Sequence, residues 1–298
     1  MSAPSLVVLI PTHGRPTLLR RTLDSVAACA LPETYTECVV IENGSPSGAE
    51  AVVQSAAAAH PHVALRYLHH ERANKSSALN AALEHVSSAA LCVFLDDDVR
   101  LEPEALVAYA TAAESNSGRV YFGGPVSCDY EAPPPDWILS SLPHSAKGYE
   151  LEDRGTMSGE YLGFNWAAYA RDLSAVGGFD PRVGPGSPTG ARGQETEMQS
   201  RLREAGARPV DVEAARVWHY VPSERCSVRW ILQRSNAMGR SVGATSAQPM
   251  HDEDTVIWSA VRSALSLSKR ALLLDRKGIL SAAQGFAYNW GRLKSLGS

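Results

Sequence analysis

Leu91-Cys92-Val93-Phe94-Leu95-Asp96-Asp97-Asp98-Val99 sets five apolar residues directly before three adjacent carboxylates. The apolar run has the length and composition of a buried strand. Aspartate is a poor strand former, and neighbouring carboxylates repel one another. Left uncompensated, the trio costs stability. A divalent cation held by carboxylate oxygens supplies that compensation, and hard oxygen ligands suit Mg2+ or Mn2+. In an extended chain Asp96 and Asp98 point to one side and Asp97 to the other. The competing reading is a solvated acidic loop leading into a helix that starts near Pro103.

Outward from this stretch, short apolar runs at Leu6–Ile10, Cys38–Ile41 and Val63–Leu68 precede it. Between the runs lie Leu18–Ala28, Ala49–Ala59 and Ser76–Val86, which suit helices. Continuous apolar strands separated by helices predict a doubly wound, mostly parallel α/β sheet covered on both faces. Such sheets bind ligands beyond the carboxyl ends of their strands. Pro11-Thr12-His13-Gly14-Arg15 and Glu42-Asn43-Gly44-Ser45 occupy two of these ends, although each segment alone also reads as turn chemistry.

The chain resembles the family-two glycosyltransferases, which have the GT-A fold. Six stretches carry the resemblance, in the family's order: VLIPTHGRPTLLRRTLDSV, CVVIENGS, NKSSALNAAL, CVFLDDDV, GFNWAAYARDLSAVGGFDP and GQETEMQSRLREAG, from residue 5 to about 206. What the resemblance implies is transfer of a sugar from a nucleoside diphosphate sugar, with a divalent metal on the diphosphate. By motif position it assigns Pro11, Thr12 and Arg15 to the nucleotide pocket and Glu42 to the nucleobase, where Asp is commoner. Lys75 and Asn80 fall where the family approaches the nucleotide, and Asp97 is turned toward a ribose or the sheet edge. Asp96 and Asp98 match the metal-binding D-x-D pair, and His219 is the candidate third ligand, with Mn2+ or Mg2+ as the ion. Glu195 matches the catalytic base of inverting members, Glu197 being the alternative. Departures are Asn74 for a glycine, Leu79 for an arginine, and Gln194-Glu195 for the usual Glu-Asp.

Several of these residues have an ordinary structural reading as well. Met198, Leu202 and Ala205 fall on one face before Gly206, so Glu195 and Glu197 sit in the first turn of a short helix, where carboxylates are favoured. His219 lies at a strand end in Trp218-His219-Tyr220, as a ligand or as a half-buried hydrogen-bonded side chain. The Gly184–Gly193 loop reads as a lid over the donor or as a plain surface loop, and its Arg192 as a phosphate contact or a solvated cation. Trp137 and Trp166 could stack on sugar faces, but tryptophan is more often core. Asn165 is the donor-sugar candidate by motif position.

Across 298 residues, apolar side chains make up 44% and charged ones 20%, with a formal net charge of −4. These values exclude a disordered chain and a nucleic-acid coat protein. Five scattered cysteines form no C-x-x-C pair, which suits a reducing cytoplasm. No leader peptide and no uninterrupted apolar window of about 18 residues is seen. Residues 1–221 hold 17 basic and 27 acidic side chains, a net −10, and residues 222–298 hold 11 and 5, a net +6. The expected organisation is a catalytic domain over 1–221, its nucleotide-sugar half at about 1–100 and its acceptor half at about 101–221, followed by a basic helical extension over 222–298. In that extension Ile257, Val261, Ala264, Leu265 and Leu272 share a helical stripe beside Arg262, Lys269, Arg270, Arg276 and Lys277. Such a helix packs on the catalytic domain or across a homodimer, or lies on the inner face of an anionic membrane. Residues 225–241 resemble the post-catalytic segment of bacterial polysaccharide-building members.

The function expected is a metal-dependent, inverting transfer from a nucleotide sugar, UDP by family habit, to a hydroxyl on a glycan, lipid-linked or small-molecule acceptor. One rival is a sugar-phosphate nucleotidyltransferase, against which the single glycine of Pro11–Arg15 counts. The other is a catalytically silent nucleotide-binding relative, against which Asp98 and Glu195 count.

Overall fold

β1 (Leu6–Thr12) is enclosed along its whole length, as an uninterrupted run of branched aliphatic residues requires of a strand covered on both faces. The computed structural model describes residues 4–153, 159–188, 192–245, 256, 259–266 and 275–296. β1 leads into α1 (Pro16–Ala27), where Pro16 opens the helix at a position whose N–H would have no partner, and Leu19, Leu23 and Val26 bury one stripe. β2 (Tyr35–Asn43), α2 (Ala49–Ala59) and β3 (Leu65–His70) follow, then α3 (Lys75–Leu83), capped by the Asn74 side chain, which accepts the Ser77 N–H at 2.8 Å. β4 (Leu91–Phe94) completes the parallel set. β3 starts two residues later than the apolar run Val63–Leu68 suggests, because the Val63 N–H closes a turn onto the His60 carbonyl.

The second half holds β5 (Val99–Leu101), α4 (Ala105–Ser115), β6 (Val120–Gly123), β7 (Val126–Tyr130) and the single-turn helices α5 (Asp136–Leu139) and α6 (His144–Lys147). After these come β8 (Trp166–Tyr169), α7 (Ala170–Ala175), α8 (Gln194–Glu204), β9 (Arg208–Asp211), β10 (Val217–Val221), α9 (Val228–Thr245) and α10 (Arg276–Leu296). The main sheet runs β3-β2-β1-β4-β8-β6-β9, with β8 antiparallel to both neighbours and the other pairs parallel. The fold is therefore the doubly wound, mostly parallel α/β type with a helical C-terminal region.

The chain divides into two compact units. The first, Met1–Ser127, Gly148–Gly186 and Gly193–Tyr220, contains the main sheet and its core. The second comprises Cys128–Lys147, Ser187–Arg192 and Val221–Ser298. Residues 128–147, expected within the catalytic domain, belong to the second unit because Ile138, Leu142 and Ala146 bury themselves with Val221, Ile231 and Leu280. Within this unit α9 and α10 cross closely at Gly239 and Gly291, where a Cβ on either would collide with the other helix's backbone. Of the tail stripe, Ile257, Lys269, Arg270 and Leu272 lie outside the described residues, as do Thr189, Gly190 and Ala191 of the glycine-rich loop.

Candidate active site

Strand register gathers the chemistry. Thr12 is paired with Glu42, Glu42 with His69, and Leu9 with Phe94, so the carboxyl ends of four parallel strands finish together. At that edge opens a pocket of about 340 Å3, lined by Pro11–His13 and Arg15 after β1, Asn43 after β2, Ala73 and Lys75 at α3, Asp96 and Asp97 after β4, and Pro185-Gly186.

Cations face every member of the aspartate trio. Lys75 Nζ donates to Asp96 at 2.5 Å. Arg15 donates to Asp97 at 3.1 Å and to Asp98 at 2.7 Å, and the Thr12 hydroxyl donates to Asp97 at 2.6 Å. The alternation expected of an extended chain is absent, since β4 ends at Phe94 and the turn that follows presents Asp97 and Asp98 to the same guanidinium. Burial pushes the Asp97 carboxyl up to about 6; Arg15 and Thr12 oppose the rise, and Asp98 and Asp96 add to it. Burial pulls the Lys75 ammonium down, but the fields of Asp96, Glu195 and Asp98 outweigh it and leave the pKa raised. Glu195 therefore acts on the same buried ammonium as the aspartates.

His219 reaches the trio through β10. β10 pairs antiparallel with β5, placing His219 opposite Val99, and the Tyr220 N–H donates to the Asp98 carbonyl at 2.8 Å. His219 Nε2 lies 3.5 Å from Asp98 Oδ1, and its ring stacks on Phe164 at 4.5 Å and 10°. Glu195 sits in the first turn of α8 after Gly193, whose φ of +88° suits glycine. A Cβ on Gly163 would come within 3.1–3.3 Å of the Glu195 side chain. Glu197 points elsewhere: Arg201 donates to both its oxygens, at 2.6 and 2.7 Å.

Other predicted site residues are used differently. Glu42 is fully enclosed; one oxygen accepts the Ser47 N–H at 2.6 Å and its hydroxyl at 2.5 Å, the other the Tyr67 hydroxyl at 2.6 Å. Burial raises its pKa, but these bonds prevail and hold the carboxyl below its ordinary value. Asn80 exchanges two 2.8 Å hydrogen bonds with the Phe179 backbone, tying α3 to the 177–180 turn. Asn165 is fully enclosed, donating to the Pro125 and Ala215 carbonyls and accepting from Tyr109, and Trp166 stacks on Phe94 at 4.6 Å. Both are core side chains: Trp166 opens β8, which is central to the sheet, and Asn165 immediately precedes it. Trp137 and Arg192 belong to the second unit, the first half-buried on its core and the second exposed.

Three contributors escaped sequence reasoning. Gly163 and Phe164 stand within the quoted GFNW motif, yet nothing in the motif says that one borders Glu195 and the other His219. The segment 181–186 is the third. Its Pro181, Val183 and Pro185 carbonyls accept from Asn74, Ser76 and Lys75, so the first part of the expected lid is seated on the start of α3.

Two carboxylates and an imidazole nitrogen form a donor set that suits Mn2+ or Mg2+. Among the described residues no three His, Cys, Asp or Glu side chains are already gathered as an ion cage, since Asp96 is turned to Lys75 and Asp98 is shared between Arg15 and His219. The chemistry of the residues fits an ion that displaces Lys75 and Arg15 from these carboxylates.

Residues 7–165 match a family model described as glycosyl transferase family 2. Comparison with curated proteins gave no match. Among solved structures, a mannosyltransferase, PcManGT, from Pyrobaculum calidifontis, in complex with GDP-Man and Mn2+, is 20% identical, with a TM-score of 0.62 over 99% of this chain and 88% of that one. GalNAc-T7 with UDP, GalNAc and Mn2+ is 14% identical, with a TM-score of 0.56 over 88% of this chain and 51% of that one. TarS 1-349 of S. aureus is 13% identical, with a TM-score of 0.53 over 94% and 89%.

Proposed function

Because the chain belongs to glycosyl transferase family 2, we propose that its pocket holds a nucleoside diphosphate sugar and that the protein transfers the sugar, with inversion, to an acceptor hydroxyl. One observation carries this reading: the ends of β1, β2 and β4 and the start of α3 open one pocket that sets Asp96 and Asp97 beside Lys75 and Arg15, with His219 3.5 Å from the adjoining Asp98.

Asp96, Asp98 and His219 would hold the ion. When bound, it stabilises the negative charge that grows on the leaving diphosphate. Lys75 and Arg15, freed from the carboxylates, face the phosphates as fixed positive charges. Pro11, Thr12 and Asn43 shape the nucleotide end. Glu42 acts there through the β2 terminus that it braces with Ser47 and Tyr67, and UDP is the nucleotide we assign. Glu195 accepts the proton of the acceptor hydroxyl as its oxygen attacks the anomeric carbon opposite the leaving group, a contribution of roughly 10²–10⁴ in rate. Placement at the positive end of α8 favours its ionised form. Similarity of residues 225–241 to polysaccharide-building members supports a glycan or lipid-linked acceptor.

The test is incubation with UDP- and GDP-sugars and Mn2+, with and without acceptors. Expected are nucleoside diphosphate release, its loss in Asp98→Ala, and a product of opposite anomeric configuration. Pyrophosphate release would instead mark a nucleotidyltransferase, and donor binding without turnover a silent relative.

A further inference from the structure

On α10, Arg276, Ile279, Ala283, Phe286, Trp290 and Lys294 recur at steps of three and four and so share one stripe. Phe286 and Trp290 are 41% and 48% exposed, with rings stacked at 6.2 Å. The Lys294 ammonium stands 5.8 Å from the Trp290 ring centre. Helix packing within this unit uses other positions. Gly291 meets the α9 backbone, the Ala287 carbonyl accepts from Asn236 at 2.9 Å, and Gln284 donates to the Ser141 carbonyl at 2.9 Å. Nearby, residues 259–266 are helical, and a Cβ on Gly285 would come within 3.1 Å of the Ser263 hydroxyl. That segment exposes Val261 and Leu265, the latter by 66%, beside an exposed Arg262.

The surroundings are strongly cationic. Among the described residues from 228 to 296 there are eight Arg and Lys side chains and one acid, Asp275. Exposed paired aromatics on a helix with low overall hydropathy, flanked by cations, are what an interfacial helix presents to a bilayer: rings at the headgroup–acyl boundary, cations on lipid phosphates. A second copy of the stripe is a poorer occupant. Whether two such helices pair parallel or antiparallel, the cationic ends of one meet cationic ends of the other, and like charges at short range repel.

We propose that α10 docks this stripe on an anionic phospholipid bilayer, with Phe286 and Trp290 inserted at the interface and Arg276 and Lys294 on the lipid phosphates. Among the described residues no helix is long and apolar enough to cross a membrane, so the contact is peripheral and reversible. Vesicle flotation of the full chain tests it, comparing phosphatidylcholine alone with phosphatidylcholine holding about 30% phosphatidylglycerol, at low and high salt. Expected is binding about tenfold stronger to the anionic vesicles, lost at high salt. It should fall about tenfold in the Phe286→Ser/Trp290→Ser double variant and in Arg276→Glu/Lys294→Glu, both with unchanged circular dichroism. Equal binding to both vesicle types, no binding, or binding undiminished in the double variants overturns the proposal. So does a dimeric mass in solution that the Phe286→Ser/Trp290→Ser variant reduces to a monomer.

Discussion

Gly163 shows how a residue with no side chain shapes the chemistry of one that has it. Glu195 occupies the space a Cβ at 163 would need, and the next residue, Phe164, stacks on His219. One dipeptide thus borders both the candidate base and the candidate third ligand. Gly163→Ala should push the Glu195 side chain aside by a few tenths of an ångström; because a full ångström costs on the order of 10²-fold, activity should fall by roughly three- to tenfold. The loss should appear in kcat with the donor KM little changed, because the nucleotide end is untouched; a donor KM that rises with unchanged kcat would place Glu195 outside the reacting geometry. Glu42 allows a second argument at this scale. Its folded pKa is depressed by the bonds from Ser47 and Tyr67, after the opposing effect of burial. A depressed carboxyl contributes stability that is present above the unfolded value of about 4.3 and is lost as pH falls through the folded value. Glu42→Gln must leave at least one of the Ser47 and Tyr67 donors facing an amide N–H, at a cost of about 1–3 kcal/mol. Urea denaturation of both proteins between about pH 7 and 3 should show the variant less stable at neutral pH and with a shallower acid slope. Parallel slopes would mean that Glu42 does not titrate in this way.

The segment 181–186 and α3 form the element-scale unit of the site. Three loop carbonyls accept from Asn74, Lys75 and Ser76, and Gly186, at φ +79°, passes so close to Ala73 that a Cβ would meet its carbonyl oxygen. Gly186→Ala therefore combines left-handed strain with a backbone clash. The loop should lift from the start of α3, loosening Lys75 and raising the donor KM about tenfold, a uniform loss of binding with kcat preserved; an unchanged KM would show that the loop does not support the donor end. This coupling was not legible in the sequence, where Gly184–Gly193 reads as lid or surface loop with equal ease, because carbonyl acceptors leave no mark in residue identity. The parallel half was legible for the opposite reason. Leu6–Ile10, Cys38–Ile41 and Leu91–Leu95 announce β1, β2 and β4 through apolar runs that only burial on both faces rewards. The strands beyond Asp98 are three to five residues long, too short for alternation to register. The burial of Asn165 and Trp166 was not legible from their motif position, which says which residues recur near a sugar and not which of them are enclosed.

At the scale of the molecule, charge decides what the folded protein asks of its ligands. Residues 1–221 carry a net −10, and four of their carboxylates, those of Asp96, Asp97, Asp98 and Glu195, act on two cations, the largely enclosed Lys75 and the exposed Arg15. Lys75 and Arg15 act as counter-ions within the fold, so the first unit stands without added metal; yet a metal–nucleotide complex can satisfy both sets at once, the ion taking the carboxylates and the phosphates taking Lys75 and Arg15. Ligand that binds only the folded state adds about 2.7 kcal/mol at a hundredfold excess over Kd, which for a chain of this size corresponds to a rise in Tm of roughly 4 °C. The expected pattern under scanning calorimetry is a small rise with Mn2+ alone, a larger one with Mn2+ and UDP together, and reversal by EDTA. Asp98→Ala should keep a folded transition without ligand, since Arg15 retains Asp97, but lose the Mn2+-dependent part of the rise. A full nucleotide shift that persists in EDTA, or in Asp98→Ala, would mean that the two cations alone hold the diphosphate and that the aspartates serve only to seat them.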